Sequence, residues 1–388
     1  MHPRPRGSGG LPSLLGGAGW AVAVLVPLGF IALFFLWPVL TLIATGFVDD
    51  GRLDLSGIAE VFGANRTWQV IGQTLLQATL ATVLSVLLGM PAAYVLYRLD
   101  FPGRSLFRGF LTIPFVLPTV VVGVAFTALL GPGGPLASLG WDQSLIGVVL
   151  ALAFFNVTVA ARLVGSFWAR LDTSSLMAAR VLGAGAVRAW WSVTLPALRP
   201  AIASAGALVF LFSSTSFGVV LILGGREFAN VETEIYRLTV QYLDLRSAAV
   251  LSLAQFAIVG AALMISSRLR VSGERAVELG AEGQREHRPR WTDLPACLAF
   301  GATVVLLHLL PIVTLIARSL RSPDGTWTLQ NYTALFDPAS TLPIEGSTLG
   351  AIWLSLRISA VAAAIAMVLG MLIALVLEAA RRTTGPVM

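Results

Sequence analysis

Residues 19–47 read GWAVAVLVPLGFIALFFLWPVLTLIATGF, a run of 29 residues without one charged side chain. A helix needs about 20 apolar residues to cross the hydrocarbon core of a bilayer, so this run is long enough to span a membrane. It is too long for the apolar region of a signal peptide and lacks a small-residue cleavage site. The segment is therefore predicted to be a retained transmembrane helix.

Similar apolar stretches recur along the whole chain. The predicted spans are about 19–47, 69–97, 108–131, 144–166, 200–225, 246–268, 294–317 and 350–377. The 388 residues are 56% hydrophobic and 12% charged, whereas a soluble domain carries about 25% charged residues. No stretch alternates with a period of two residues, so a membrane barrel is not predicted. The sequence predicts an all-α polytopic membrane protein with about eight transmembrane helices.

Several kinds of chemistry are excluded by composition. All 26 basic residues are arginine, so the chain has no lysine for a Walker A phosphate loop or a lysine-dependent active site. The single cysteine, Cys297, rules out an intrachain disulfide and a cysteine-pair metal site. The three histidines, His2, His287 and His308, are too scattered for a zinc motif. We predict no catalytic site, no metal site and no cofactor bound by this chain.

The arginines also predict the orientation in the membrane. With the N-terminus inside, the cytoplasmic segments hold 18 of the 26 arginines and the outer loops hold seven. Cytoplasmic loops of membrane proteins carry this excess of positive charge, which places both ends of the chain in the cytoplasm. The net charge of +6 is thus a topology signal, and no nucleic-acid partner is predicted.

The sequence contains an internal repeat, whose second copy follows a charged segment at 270–292. Residues Pro38–Ala44 recur as Pro311–Ala317, and residues 74–96 recur in part as 355–377. Six helices separate the copies, so both have the same orientation, as in transporters built from two like halves. The predicted domains are a cytoplasmic tail at 1–18, a first repeat at 19–269 with its core at about 69–269, the cytoplasmic linker at 270–292 and a partial second repeat at 293–388. Because the second copy stops after two helices, we expect an incompletely represented or shortened two-half protein.

The segment between the fourth and fifth spans is the most informative. Residues 171–201 read LDTSSLMAARVLGAGAVRAWWSVTLPALRPA. Two short helices joined at Gly183, with Ala178 and Ala179 on a face without bulk, are expected to form a compact cytoplasmic knob that seats closely in a groove of a partner. The alternative is an ordinary interfacial loop anchored by Trp190 and Trp191.

This segment resembles the coupling loop of binding-protein-dependent type I ABC importer permeases. The signature of that family is Glu-Ala-Ala, three residues, Gly, nine residues and Ile-x-Leu-Pro. The matching positions here are Met177, Ala178, Ala179, Gly183, Val193, Leu195 and Pro196. Met177 replaces the usual glutamate, which removes a charge that would pair with the ATPase or cap a helix. The resemblance implies that these residues contact a partner ATPase.

Prolines in the second and third spans agree with the resemblance. Pro91 lies near the end of the second span, and Pro114 and Pro118 lie one turn apart in the third. Each proline removes a backbone hydrogen bond and is expected to kink its helix, which neighbouring helices compensate. The kinks serve either packing alone or the lining and gating of a cavity.

Within the family, the chain is most similar to thiamine permeases, with ferric-iron permeases next. The residues that carry this likeness include Phe154-Phe155-Asn156, Ser216-Phe217-Gly218, Leu223-Gly224-Gly225 and Glu234-Ile235-Tyr236. Iron permeases carry the Gly-Gly and Ile-Tyr elements as well, so ferric iron or another small solute stays open as the alternative.

Polar residues inside two spans are candidates for lining a solute pathway. They are Asn156 in the fourth span and Ser213, Ser214, Thr215 and Ser216 in the fifth. The alternative for the hydroxyl residues is helix packing, since small hydroxyl residues are common at membrane helix interfaces. Asn156 is expected to form a hydrogen bond to another helix.

The resemblance implies a permease subunit of an ATP-driven importer in the bacterial cytoplasmic membrane. Its expected partners are two cytoplasmic ABC ATPase subunits, which use ATP and Mg²⁺, an extracytoplasmic solute-binding protein and the lipid bilayer. An ion-gradient-driven transporter is the rival from another class, but it predicts acids or histidines buried within spans, of which the sequence has almost none. An intramembrane enzyme would need a paired catalytic constellation, which the spans lack.

Overall fold

The computed structural model describes residues 17–49, 52–171, 174–225, 228–277, 287–322, 324–336 and 348–384. The helices are, in chain order, α1 Gly17–Ile31, α2 Trp37–Phe47, α3 Ser56–Gly63, α4 Asn65–Arg98, α5 Arg104–Val116, α6 Thr119–Leu130, α7 Leu145–Trp168, α8 Ser174–Val181, α9 Ala186–Ala189, α10 Leu195–Ser214, α11 Gly218–Leu223, α12 Val231–Tyr236, α13 Leu245–Val277, α14 Leu294–Ala302, α15 Leu310–Ser319, α16 Gln330–Thr333 and α17 Thr348–Thr384. Strands β1 Val48–Asp49 and β2 Arg52–Leu53 form one short antiparallel pair, with Val48 opposite Leu53.

Among the described residues, eight segments are long and apolar enough to span a membrane when one bent pair of helices is counted as a single span. The straight ones are Gly19–Phe47, Asn65–Arg98, Leu145–Trp168, Ala186–Ser214, Leu245–Met264, Trp291–Ser319 and Thr348–Glu378, and the bent one joins α5 to α6 at 101°. Several of these spans contain π-helical turns, such as Ala32–Leu36 between α1 and α2 and Thr303–Leu309 between α14 and α15. The predicted all-helical class and number of spans are confirmed.

The chain packs as two units that do not follow the sequence repeat. One unit comprises residues 1–45 and 320–388, and the other comprises residues 46–319. In the first unit α1 packs against α17, and in the second α14 packs against α4 while α15 packs against α6. The first helix of each repeat therefore packs against core helices of the other repeat.

The core of the larger unit lies between α4 and α7, the most closely packed pair of helices. Ala78, Ala92 and Ala93 of α4 are fully buried. At Gly89 a β-carbon would lie 2.7 Å from the Cβ of Ala160 on α7, so only glycine permits this approach. Small residues at such contacts allow membrane helices to pack by van der Waals attraction.

The third span bends where the prolines predict a distortion. Helix α5 ends at Val116 and α6 begins at Thr119, with Pro118 at the corner and Pro114 in the last turn of α5. Proline provides no amide hydrogen for the helical ladder, and the residue before it avoids helical geometry, so the chain turns at this point. Helix α4, in contrast, continues through Pro91 to Arg98, and a functional kink there stays a prediction.

The fifth span differs from the predicted 200–225. It begins at Ala186, passes through a π-helical turn at Trp190–Thr194 and ends at Ser214, while α11 starts only at Gly218. The expected second short helix of the 172–199 loop is therefore not separate but is the first part of this span. Pro196 lies inside this continuous helix, directly after the π-helical turn and at the start of its α-helical part α10. The sixth span, Leu245–Met264, lies close to the predicted 246–268, but its helix α13 continues to Val277 into the predicted linker. The linker residues 278–286 lie outside the described ranges.

Candidate functional site

The first part of the 172–199 loop ends in a turn that requires glycine. Gly183 follows α8 with a φ of +87°. The amide of Ala184 donates to the carbonyl of Ala179, and the amide of Gly183 donates to that of Arg180, both at 3.0 Å. This pair of bonds is the Schellman motif, in which a left-handed residue closes a helix and satisfies its last carbonyls. The predicted turn at Gly183 is thus present, and its cause is the backbone conformation.

The surface around this turn is apolar and exposed. Val181 and Leu182 are 86% and 87% exposed, and Val187 and Met177 are 73% and 63% exposed. Ala178 is exposed beside them, and Ala179 is partly buried. Of these residues only Val187 lies within a span, Ala186–Ser214. Exposed apolar patches outside a membrane are typical of protein interfaces. The other residues of the signature, Val193, Leu195 and Pro196, are half-buried and belong to the base of the loop.

A stack of aromatic rings fixes the base of the loop to the bundle. Trp190 contacts Trp168 at the end of α7, with ring centroids 5.3 Å apart, and Trp168 contacts Tyr94 of α4 at 5.4 Å. Ala189 is buried next to this stack. These ring contacts join the base of the loop to α7 and α4.

The end of the linker packs near the base of the 172–199 loop, at the end of α4. The amide of His287 donates to the carbonyl of Arg98 at 3.1 Å, and the amide of Asp100 donates to the carbonyl of His287 at 2.9 Å. The Tyr94 hydroxyl donates to a carboxylate oxygen of Asp293 at 2.7 Å. Two backbone bonds and one side-chain bond thus join the segment that leads into α14 to the end of α4.

The opposite end of the fifth span is broken, and side-chain amides bind the carbonyls that the break leaves without helical donors. Gln77 of α4 donates to the Ser213 carbonyl at 3.2 Å, and Gln255 of α13 donates to the Ser214 carbonyl at 3.3 Å. Asn230, at the start of α12, donates to the Ser216 carbonyl at 2.6 Å. Backbone groups away from water must be satisfied within the protein. Three amides from three other elements therefore stabilise the break.

These three amides were not selected from the sequence. Gln77 and Gln255 are isolated polar residues within apolar spans, which is a signal that could have identified them. Asn230 precedes Thr233 by three residues, and the two residues form a reciprocal capping box at the start of α12. The sequence did not reveal their partners, since the break itself was not predicted.

The predicted pathway residues lie next to the break, but most of them are buried. Asn156 donates from Nδ2 to the Ser213 hydroxyl at 3.2 Å, so the expected bond between helices is present. Asn156, Ser213 and Ser214 are at most 2% exposed, and Ser216 is 9% exposed, while Thr215 is partly exposed. Contact of these residues with a solute stays a prediction.

The two interrupted spans meet at their breaks. The ring of Phe115 in α5 lies 6.0 Å from that of Phe212 in α10. Beyond the breaks α6 packs against α11, and a β-carbon on Gly218 would lie 2.5 Å from the Thr119 hydroxyl oxygen. Phe115 and Phe212 are 49% and 38% exposed. The breaks therefore form one surface on which aromatic side chains remain accessible.

Two glutamates of α12 lie near this surface in different environments. Glu234 pairs with Arg66 at 2.8 Å and with Arg237 at 3.6 Å. Glu232 instead accepts a hydrogen bond from Gln255 Nε2 at 3.2 Å. Burial raises the pKa of Glu232, and the bond from Gln255 opposes this effect.

Within the described ranges, no three His, Cys, Asp or Glu side chains are grouped to hold a metal ion. Of the residues that composition singled out, His308 is fully buried, and its ring stacks on Phe154 at 5.4 Å. Cys297 is partly buried. Both side chains thus pack inside the protein to different degrees.

Curated relatives of the chain are transport permeases. The thiamine transport system permease protein ThiP of Brucella abortus is 30% identical over 267 residues, which cover 65% of this chain and 49% of that protein. The putative 2-aminoethylphosphonate transport system permease protein PhnU of Salmonella typhimurium is 28% identical over 244 residues, covering 59% of this chain and 85% of that protein. The chain thus spans about half the length of the ThiP relative. No family model matches the sequence.

Solved structures of ABC transporters share the helical fold of this chain. A bacterial ABC transporter involved in the import of the acidic polysaccharide alginate aligns with a TM-score of 0.53 at 16% identity, covering 66% of this chain and 94% of that chain. A second structure of an alginate ABC transporter, in complex with a periplasmic protein bound to an alginate pentasaccharide, aligns at 0.52. The resemblance to ABC importer permeases is confirmed.

Proposed function

We propose that this chain is the membrane-spanning permease subunit of an ATP-driven importer. It forms the pathway of the solute, while partner ATPases bind and hydrolyse ATP with Mg²⁺ in the cytoplasm. A solute-binding protein delivers the solute from the opposite side of the membrane. The chain supplies no phosphate loop, because it contains no lysine.

The observation that carries this proposal is the exposed apolar turn after α8. Val181 is the last residue of α8, and Leu182 follows it directly before the left-handed Gly183. Each is more than four-fifths exposed. Ala178, Ala179 and the left-handed Gly183, at the family spacing, place small residues next to these exposed apolar side chains. A partner with a matching groove would bury these residues and gain hydrophobic stabilisation.

The packing suggests how a movement of the ATPases would reach the pathway. The helix that begins at Ala186 runs without interruption to Ser214, where the break begins. The stack of Trp190, Trp168 and Tyr94 joins the start of this helix to α7 and α4. A displacement of the 172–199 loop would therefore be transmitted along one continuous helix to the surface where the two broken spans meet.

For the solute we propose a small organic cation of the thiamine type. This choice is supported by the similarity to ThiP of Brucella abortus at 30% identity. Ferric iron is the alternative from the sequence motifs, and 2-aminoethylphosphonate is the alternative from the similarity to PhnU.

Reconstitution would test the proposed function. The full protein, its candidate ATPase and its candidate binding protein would be placed in liposomes, and ATP hydrolysis and uptake of labelled thiamine, ferric iron and 2-aminoethylphosphonate would be measured. We expect the binding protein with thiamine to stimulate ATP hydrolysis and ATP-dependent uptake. A complex in which no binding protein stimulates hydrolysis, or in which an ion gradient alone drives uptake, would contradict the proposal.

The proposed location is the bacterial cytoplasmic membrane, with both ends of the chain in the cytoplasm. Reporter fusions after Arg290 and after Ser322 test the orientation, because these residues lie at opposite ends of the span Trp291–Ser319. We expect the first fusion to report the cytoplasm and the second the outside. The reverse pattern would contradict the orientation but not the transport function.

A further inference from the structure

We propose that Glu232, Tyr236 and Phe217 form a recognition element for an organic cation at the break of the fifth span. This inference rests on the proposed function and assigns residues to its solute. The three residues belong to α12 and to the segment between α10 and α11. The sequence motifs had singled out Phe217 and Tyr236 only as marks of resemblance.

The aromatic part of the element is a contact between two accessible rings. The centroids of Phe217 and Tyr236 lie 5.2 Å apart, and the ring planes are tilted by 58°. Each residue is 36% exposed, although both lie beside a well-packed core. The face of an aromatic ring attracts a cation through its quadrupole, and the attraction grows when the cation is partly desolvated. Two tilted, partly exposed rings therefore suit a planar or quaternary cation.

The carboxylate part lies on the same face of α12. Glu232 precedes Tyr236 by four residues, which places the two side chains next to each other along one side of the helix. One carboxylate oxygen of Glu232 accepts from Gln255 Nε2, and the same nitrogen donates to the Ser214 carbonyl at 3.3 Å. Gln255 thus holds the Glu232 carboxylate near Ser214 at the end of α10. Ser214 lies three residues before Phe217.

The charge of Glu232 is not compensated by an arginine within the described part of the chain. The neighbouring Glu234 has both Arg66 and Arg237 within ion-pair distance, at 2.8 and 3.6 Å. The partly buried Glu232 has only the neutral amide of Gln255 as a partner among those residues. Burial of a carboxylate without a counter-ion is unfavourable, and the raised pKa of Glu232 agrees with this environment. A cationic solute would supply the missing charge.

The same electrostatics disfavours an anionic solute. A phosphonate group would approach the negative Glu232, while Arg66 and Arg237 are already engaged by Glu234. The element is also preorganised, because the capping box of Asn230 and Thr233 fixes the start of α12, and Asn230 binds the Ser216 carbonyl. A cation would therefore bind without reordering this segment.

A structural role for Glu232 predicts a different result from a recognition role. The variant Glu232→Gln keeps an oxygen that accepts from Gln255 and removes only the charge. If Glu232 served only to hold Gln255, this variant would behave as the wild type. Glu60 offers a matched control, since it is an exposed acid of α3, on the same predicted side of the membrane, and Glu60→Gln removes the same charge.

The test is ATP-dependent uptake of labelled thiamine by the full complex in liposomes. We expect Glu232→Gln to raise the apparent KM for thiamine at least tenfold, with Glu60→Gln unchanged. Tyr236→Leu should raise the KM by a similar factor, whereas Tyr236→Phe keeps the ring and should restore most of the affinity. Co-purification of the ATPase with each variant checks that the complex has assembled. If the complex with Glu232→Gln does not assemble, the KM values of Tyr236→Leu and Tyr236→Phe test the recognition element instead.

The possible outcomes separate this inference from the proposed function. Unchanged KM values for Glu232→Gln and Tyr236→Leu would overturn the recognition element and leave the importer in place. A wild-type complex that takes up 2-aminoethylphosphonate or ferric iron but not thiamine would overturn both the element and the proposed solute. A wild-type complex without binding-protein-stimulated ATP hydrolysis would overturn the proposed function itself.

Discussion

The two ends of the fifth span differ in exposure and polarity. At its start the 172–199 loop exposes apolar side chains such as Leu182, and few contacts hold its tip. At its end the break at 215–217 is surrounded by buried amides, of which Gln77 is fully buried. The first end leaves apolar surface exposed. At the second end, side-chain amides of the chain itself donate to the buried carbonyls, while the Oε1 atoms of Gln77 and Gln255 are buried without a hydrogen-bond partner among the described residues.

This difference predicts that the break is stabilised by residues of this chain, whereas the exposed loop contributes to binding of another protein. Substitution of a highly exposed side chain at the tip of the loop, such as Leu182, removes little contact within the chain, so it should leave the fold intact and affect assembly. A substitution at the amides removes a bond to a buried carbonyl, so it should affect stability first. The following variants test this distinction, in the order of the effect we expect.

Gly183→Val should have the largest effect, because it changes the turn that shapes the exposed surface. A β-carbon at this position meets nothing within 4 Å, so the effect arises from the backbone, where a left-handed conformation costs an L-residue about 1–2 kcal/mol. We expect loss of ATPase co-purification and of transport. Gly183→Asn is the matched control, since asparagine tolerates this conformation, and it should retain both. Equal behaviour of the two variants would contradict a backbone role for Gly183.

Gln77→Leu should lower stability while the loop surface stays unchanged. The variant leaves the buried Ser213 carbonyl without its side-chain donor. Such bonds between membrane helices contribute about 1 kcal/mol, so we expect a lower midpoint of thermal unfolding in detergent. Thr79→Val serves as the control, because the Thr79 hydroxyl is exposed and bonds only within its own helix. Equal midpoints for both variants would show that the break does not depend on this amide.

Tyr94→Phe should have a smaller effect on stability. It removes the hydrogen bond to Asp293, which still accepts from the amide of Arg290 at 2.8 Å. The ring contact with Trp168 remains, and we expect a loss of about 1 kcal/mol or less, as for a typical hydrogen bond. Limited proteolysis of the segment before Trp291 measures the effect, with Tyr97→Phe as the control. A stronger loss of transport than of stability would indicate that this bond takes part in coupling.

Met177→Glu should have the smallest effect. Met177 is 63% exposed, so the change restores the family residue without disturbing the packing of this chain. We expect normal stability and at most a twofold change in the rate of ATP hydrolysis coupled to uptake. Complete loss of ATPase binding would mean that the partner groove is adapted to an apolar residue here.

The sequence predicted those features that depend on local properties of the chain. The length of apolar runs predicts the spans, Pro118 predicts the bend of the third, and Gly183 marks a left-handed turn. The break at 215–217 was missed, because its carbonyls are bound by residues distant in sequence, such as Gln77, which is 136 positions before Ser213. The continuity of the helix from Ala186 was missed because prolines usually mark a helix end, whereas a π-helical turn precedes Pro196 here.

The most direct test of the account is whether the exposed apolar turn binds the ATPase. Leu182→Asp replaces a side chain that is 87% exposed, and Leu139→Asp makes the same change at a residue that is 44% exposed at the opposite end of the bundle. We expect at least a tenfold reduction of co-purified ATPase and loss of uptake with Leu182→Asp, and wild-type behaviour with Leu139→Asp. Wild-type ATPase binding and uptake by the Leu182→Asp complex would contradict the account.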